Sequence, residues 1–275
     1  MRAENHSPVR VRLDPAALHR RAVRPHGLWR AVEVVGRTGS TNADLLARAL
    51  AGEPEGVVLA AEEQVRGRGR MGRAWVAPPR AALTFSLLLR PAVPPARRGW
   101  VPLLAGLAAA EAVTAVTGVP ARLKWPNDVL AGDAKLGGFL AESAGDAVIV
   151  GFGLNVSTEP AELPAPGPGA LAATSLGAAG ATALDREVLL LALLAAFQRW
   201  YLAWQDHQGD PDRSGLRAAY TGWSATIGRD VRAELPGGQA LSGRAAGVDP
   251  DGRLLVRVSS AAEVAVAAGD VVHLR

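Results

Sequence analysis

Four arginines and three glycines run together from Arg66 to Arg73, as Arg-Gly-Arg-Gly-Arg-Met-Gly-Arg, with Gln64 before them and Trp75 just after. Arginine presents a rigid fork of donors that matches phosphate and carboxylate oxygens. Glycine lets the backbone fold over a ligand and turn its N–H groups toward an anion. Trp75 adds a ring on which a base could stack. The chemistry suggested is the binding of an anionic, nucleotide-like molecule. Gly67-x-Gly69-x-x-Gly72 formally meets the dinucleotide fingerprint, but arginines fill the x positions, the following Arg-Ala-Trp-Val-Ala-Pro-Pro is a poor helix start, and no acidic residue follows at the ribose-binding distance. No Gly-Lys-Ser/Thr follows to make a Walker loop. Alone, the stretch reads equally as a solvated basic turn or an RGG-like RNA contact.

Three further stretches carry reactive types in unusual settings. Lys124-Trp-Pro-Asn-Asp128 sets a cation, an aromatic and two polar side chains within one turn. Lys135-Leu-Gly-Gly138 places a lysine just before two glycines, and Gly151-Phe-Gly-Leu-Asn155 closes an apolar run with two glycines and an amide. Each has an ordinary explanation by itself: a strand end with a Pro-Asn-Asp turn, a strand-opening surface lysine, a tight turn.

The elements that must position these residues follow from periodicity. Residues 1–30 read as an irregular lead-in with one short helix, Pro15–Arg21. Strands are expected at Ala31–Gly36, Val57–Ala61, Ala82–Leu89, Arg122–Trp125, Lys135–Ser143 and Ala147–Val156. Helices are expected at Ala43–Ala51, with Ser40 or Thr41 as cap, at Gly99–Thr117, and at Asp185–Gln208 with Asp185 as cap, continuing over Asp212–Thr221. Glu159–Gly180 is a Pro/Gly/Ala loop. From Thr226 the texture changes to short alternating runs (Val231–Leu235, Ala240–Val248, Arg253–Val258, Val264–Ala267, Val271–Leu274) separated by turns, the pattern of a small antiparallel barrel. A domain boundary falls near Ser224, giving units 1–224 and 225–275.

Bulk properties narrow the class. The chain of 275 residues suits one large domain plus a small one, and 49% apolar with 20% charged residues is a soluble, globular balance. There is no cysteine, which removes disulfides, thiolate catalysis and Cys-based metal sites, and the five histidines show no ligand spacing. The net charge of +4 is spread along the chain rather than gathered into a nucleic-acid stripe. The N-terminus has no apolar core of a signal peptide. Trp100–Val119 and Val188–Trp204 are apolar but interrupted by charged or polar residues, and read as buried helices, not membrane spans. A cytoplasmic location is the expectation.

In their order and spacing, Ser40-Thr41-Asn42, Gln64 with the Arg/Gly loop and Trp75, Lys124-Trp-Pro-Asn-Asp128, Lys135-Leu-Gly-Gly138 and Gly151-x-Gly153-x-Asn155 closely resemble the signature of biotin protein ligases. The similarity runs from Ala31 to the C-terminus. It implies an α+β fold: a mixed β-sheet catalytic domain with flanking helices, class II synthetase-like, plus a small C-terminal SH3-like β-barrel. It implies formation of biotinyl-5′-AMP from biotin and ATP with Mg²⁺, then transfer of biotin to one lysine of a biotin carboxyl carrier domain. Matched residue by residue, Ser40, Thr41 and Asn42 line the biotin ring end, with Gln64, Arg68 and Gly69 beside them. Arg70 and Lys135 bind the biotin carboxylate and the adenylate phosphate and act as the catalytic charges. Arg73, Lys124 and Asp128 manage ATP phosphates and Mg²⁺. Trp75 stacks on adenine with Asn127 and Asn155 as polar partners, while Gly138 and Gly153 allow close backbone approach. The Arg/Gly loop is expected to lack ordering contacts until a ligand neutralises it. Two departures stand out: Ala74 where many relatives have lysine, and Gly137, whose bare Gly-Gly is expected to loosen the lysine strand. About thirty residues precede the matched region, too few for the DNA-binding domain of some relatives, so no DNA binding is expected; a homodimer remains open.

Two readings compete. A lipoate-type ligase of the same fold also activates a cofactor acid with ATP, but generally lacks this loop and the Lys-Trp-Pro-Asn-Asp combination. An RNA-binding module would use the loop for phosphates and the barrel as a platform, yet 225–275 contains no Phe, Tyr or Trp on which bases could stack.

Overall fold

The computed structural model describes residues 10–167, 170–235, 239–259, 262–267 and 269–274. Its centre is a seven-stranded mixed sheet in the order β1-β2-β3-β7-β6-β5-β4. The strands are β1 (Ala31–Val35), β2 (Val57–Ala61), β3 (Ala82–Leu89), β4 (Ala121–Lys124), β5 (Asp128–Ala131), β6 (Ala134–Ala144) and β7 (Ala147–Asn155). Only β1 and β2 pair in parallel; the remaining ladders are antiparallel. Every residue of β2 and β3 is buried, because both faces of the sheet are covered, so a continuous apolar run replaces alternation there.

Helix α2 (Thr41–Leu50) covers one face, packing Leu45 and Ala49 on Val57, Leu59, Leu88 and Ile149. The other face takes α3 (Val101–Thr117) and α4 (Arg186–Asp206), with α1 (Pro15–Ala22) packed beside them. Local chemistry sets the ends. Asp185 caps α4 by accepting from Glu187 N at 2.8 Å and Val188 N at 3.1 Å. Gly118 closes α3 in the left-handed conformation, φ 72°. Both α3 with its preceding turn and α4 are long and apolar enough to cross a membrane, and both lie in the core against the sheet. A second sheet, order β11-β10-β9-β8-β12, is formed by β8 (Asp230–Glu234), β9 (Ala240–Val248), β10 (Leu254–Ser259), β11 (Ala262–Val266) and β12 (Asp270–His273). All its ladders are antiparallel, consistent with an SH3-like barrel. Between α4 and β8 lies α5 (Leu216–Trp223).

Three local expectations change. β5 is a strand that the Pro-Asn-Asp turn concealed; four residues are too few to show alternation. A 3-10 turn over Pro95–Trp100 precedes α3, which starts at Val101 rather than Gly99. The stretch after α4 is not one helix: Gly215, at φ 74°, interrupts it and α5 starts at Leu216.

The second sheet meets the first beneath the Lys124–Asp128 turn. Trp125 N donates to Thr226 Oγ1 at 3.0 Å, and Trp125 Nε1 to Gly252 O at 3.3 Å. Trp100 Nε1 donates to Pro250 O at 3.0 Å.

Candidate active site

A cleft of about 220 Å³ opens over β6 and β7, walled by the N-terminus of α2, the Arg/Gly loop and the Pro164–Gly167 and Ala170–Ala173 stretches. Of the residues singled out above, Ser40, Thr41, Asn42, Gln64, Arg68, Gly69, Arg70, Arg73, Trp75, Asn127, Lys135, Gly138, Gly153 and Asn155 all line it. They come from five separate segments. The sheet order explains the convergence: β3, β7 and β6 are neighbours, so their ends and the loops leaving β2 and β4 share one edge.

One end of the cleft is polar beneath and tightly bonded. Ser40 caps α2, its Oγ accepting from Ala43 N at 3.5 Å. Gln64 Oε1 accepts from Thr41 N at 2.7 Å and lies 2.9 Å from Thr41 Oγ1. Thr41 Oγ1 is 2.7 Å from Ser86 Oγ, which donates to Asn42 Oδ1 at 2.6 Å. Asn42 Nδ2 donates to Leu140 O at 3.1 Å and to Glu142 Oε2 at 2.8 Å. Gly151 makes room for this amide: a Cβ there would sit 2.2 Å from Asn42 Oδ1.

Most of the cations gather at the other end, while Arg68 stays beside the Asn42–Glu142 contact, and each is held by an acceptor. Lys135 Nζ lies 2.6 Å from Asp128 Oδ1. Arg70 donates to Asn127 Oδ1 at 3.2 Å and to Gly269 O at 3.3 Å. Arg73 pairs with Asp270 at 2.9 Å, and Arg68 with Glu142 at 3.4 Å. Burial pushes the Arg70 guanidinium below its ordinary pKa and Arg73 adds to this, against the pull of Asp270 and Asp128. Lys124 is lowered in the same way, by burial first and then by Lys135 and Arg73. An anion entering here would relieve that crowding. Trp75 lies flat against the backbone of Gly153, where a Cβ would be 2.3 Å from Trp75 Cε2. Its Nε1 is buried without a hydrogen-bond partner among the described residues.

Several expectations need correction. Lys124 and Asp128 do not line the cleft. They are cross-strand partners on β4 and β5, at the sheet's edge, and act from behind, Asp128 through Lys135. Asn127 also supports Arg70: its Nδ2 is bound to Phe139 O at 2.8 Å while its Oδ1 holds the guanidinium. The Arg/Gly loop does not lack contacts. Gly69 N donates to Arg73 O at 2.6 Å, Trp75 N to Gly67 O at 2.9 Å, and the loop's arginines reach the second sheet. Gly137 does not loosen β6, for it is paired on both sides and a Cβ would lie 2.5 Å from Gly153 O. The sequence reading missed Ser86 and Glu142, together with the wall formed by 164–167 and 170–173. A serine in the otherwise largely apolar run Ala-Leu-Thr-Phe-Ser-Leu-Leu-Leu was the one available signal for Ser86.

Comparison with known proteins agrees with this geometry. Residues 34–156 match the model of the biotin/lipoate A/B protein ligase family, and residues 226–274 match the biotin protein ligase C-terminal domain. The biotin–[acetyl-CoA-carboxylase] ligase of Mycobacterium tuberculosis is 44% identical over 272 residues, covering 97% of this chain and 98% of the relative. The bifunctional ligase/repressor BirA of Bacillus subtilis is 31% identical over 211 residues, 75% of this chain but 63% of its own length. A solved structure of the biotin protein ligase from Aquifex aeolicus, in complex with biotin and ATP, superposes with a TM-score of 0.71 at 26% identity, covering 90% of this chain and all 100% of that one. The chain belongs to the biotin protein ligase family.

Proposed function

We infer that this protein is an ATP-dependent biotin protein ligase. The biotin carboxylate attacks the α-phosphorus of ATP, an O–P bond forms, pyrophosphate leaves, and biotinyl-5′-AMP results. A lysine amine of a biotin carboxyl carrier domain then attacks the acyl carbon, loses its proton and releases AMP. The observation that carries this reading is the convergence of Arg70 and Lys135, from loop and strand, on one cleft whose opposite end is lined by Ser40, Thr41, Asn42 and Gln64. Two anions must meet for the first step, so cations that cancel their repulsion and meet charge building on phosphorus supply most of the catalysis. No side-chain nucleophile is needed.

We assign the biotin ring to the Ser40, Thr41, Asn42 and Gln64 end, and its carboxylate to Arg70 and Lys135. Arg73 takes nucleotide phosphates, and Trp75 takes the adenine, with Asn155 as its polar neighbour. Arg68 and Gly69 close over the ring, while Gly138 and Gly153 let the backbone approach. Mg²⁺ would enter as a companion of the nucleotide, and Asp128, paired with Lys135 at 2.6 Å, is the carboxylate we assign to it. When bound, the ion neutralises phosphate charge. Residues 1–224 form the catalytic unit and 225–275 the barrel, and the reaction takes place in the cytoplasm.

The test is exchange of labelled pyrophosphate into ATP with Mg²⁺. Exchange should require biotin, and Lys135→Ala should lower it about 10²- to 10³-fold, the usual cost of losing one preorganised transition-state donor. Exchange driven by lipoate and not biotin would defeat the assignment of substrate; full exchange by the variant would remove Lys135 from the mechanism.

A further inference from the structure

We propose that Ser86, fully buried beneath the cleft and outside it, is the positioning residue that fixes the Thr41 hydroxyl as a hydrogen-bond acceptor, and so selects a ligand that offers a ring N–H. The inference rests on the reading of this end of the cleft as the biotin site.

The argument is a count of protons. Asn42 Nδ2 faces both Leu140 O and Glu142 Oε2, two acceptors, so the amide cannot be turned over. Asn42 Oδ1 therefore faces Ser86, and the single Ser86 proton goes to it. Ser86 Oγ, having spent that proton, can only accept from Thr41. Gln64 is fixed in the same way: its Oε1 takes the Thr41 N–H, so it too can only accept from the Thr41 hydroxyl. Both partners of Thr41 Oγ1 thus demand its one proton, and the side facing the cleft holds lone pairs. The neighbours have the opposite polarity. The Ser40 oxygen accepts from the helix end and keeps its proton to give, and Gln64, with Oε1 engaged, has Nε2 left to donate. The Thr41 acceptor meets one ring N–H of a cyclic urea, and an adjacent donor meets its C=O. A ring oxygen in place of that N–H would set lone pair against lone pair.

The experiment compares KM in pyrophosphate exchange for biotin and for its two cyclic-carbamate analogues, in which one or the other ureido N–H is replaced by oxygen. The wild type should reject at least one carbamate strongly, since a site built to receive an N–H penalises its absence. Ser86→Ala removes the nearer of the two acceptors, at 2.7 Å against 2.9 Å for Gln64, so one partner instead of two holds the Thr41 proton and the carbamate-to-biotin ratio of KM should narrow roughly three- to tenfold, with kcat and the KM for ATP little changed. A ratio equal to that of the wild type would overturn the proposal, as would an equal rise in KM for both ligands, which is what loosened packing alone would give. If the alanine variant does not fold, Ser86→Cys fills the space with a weak donor; its ratio should be intermediate, and an unchanged ratio overturns the proposal. Wild type without any biotin-dependent exchange would defeat the biotin reading instead, so the two failures are distinguishable.

Discussion

The contact between Trp75 and Gly153 gives the sharpest prediction about the nucleotide end. Gly153 lies in β7 opposite Thr84 of β3 and Gly138 of β6, hydrogen-bonded into ladders on both sides. A Cβ built at Gly153 would lie 2.3 Å from Trp75 Cε2, 2.6 Å from Cζ2 and 2.8 Å from Cδ2. Carbon atoms rest at roughly 3.5–4.0 Å, so all three contacts are short by about 1 Å. A strand in the middle of a sheet cannot retreat that far, and in Gly153→Ala the indole must swing away. If the ring is the platform for adenine, the variant loses a stacking interaction worth about 1–3 kcal/mol, which raises the KM for ATP about 5- to 150-fold. The biotin end is built from other residues, and its KM should change less than about threefold. Pyrophosphate exchange measured against each substrate separates the two effects. A double-mutant cycle separates clash from general damage: with Trp75→Ala already present there is no ring to displace, so Gly153→Ala should then do almost nothing. An unchanged KM for ATP in the single variant, or an equal effect of Gly153→Ala in both backgrounds, would refute the reasoning.

Two predictions concern stability. Arg186 and Glu62 form a buried pair at 2.7 Å; Arg186 also donates to Val11 O and Ala82 O, and Leu13 N donates to Glu62, so the pair ties the lead-in and α4 to the sheet. Arg186→Ala leaves a buried carboxylate and should cost about 3–5 kcal/mol in urea unfolding, whereas replacing both partners with apolar residues should recover much of it; a loss below about 1 kcal/mol would show that water solvates the pair. His273 is pushed down to about 4, chiefly by burial and further by Lys124 and Arg229. Below its ordinary value of about 6.5 the unfolded chain therefore binds more protons than the folded one, and the stability that His273 contributes is complete above that pH and lost as the pH falls toward 4. Unfolding free energies over that window should fall less steeply for His273→Gln than for wild type, and equal slopes would exclude the group.

What the sequence made legible, and what it hid, follows from the range of the interactions. β2 and β3 begin and end where their apolar runs do, since the runs are continuous and closed by Gly, Glu or Arg. Arg70 and Lys135 were legible because phosphate chemistry needs cations on pliable backbone, and ten of the fourteen lining residues named in advance sit on or beside glycines, prolines or helix starts, Gln64, Trp75, Lys135 and Asn155 being the others. Sequence proximity misled at Lys124 and Asp128: one step along a strand reverses the side chain, so belonging to the same short motif as Asn127 does not put them in the same cleft. Ser86 and Glu142 were hidden for a different reason. Asn42 meets Ser86 across 44 residues and Glu142 across 100, contacts that exist only because the sheet order brings β3, β7 and β6 together under α2. A serine in an apolar strand has no local reason to be there, and its partners are chosen by topology. The same topology gives it a role: in a close-packed interior a hydroxyl whose one proton is committed to Asn42 can only accept from Thr41, and so fixes a direction. The polar floor of the cleft is thus most informative where the sequence is least so.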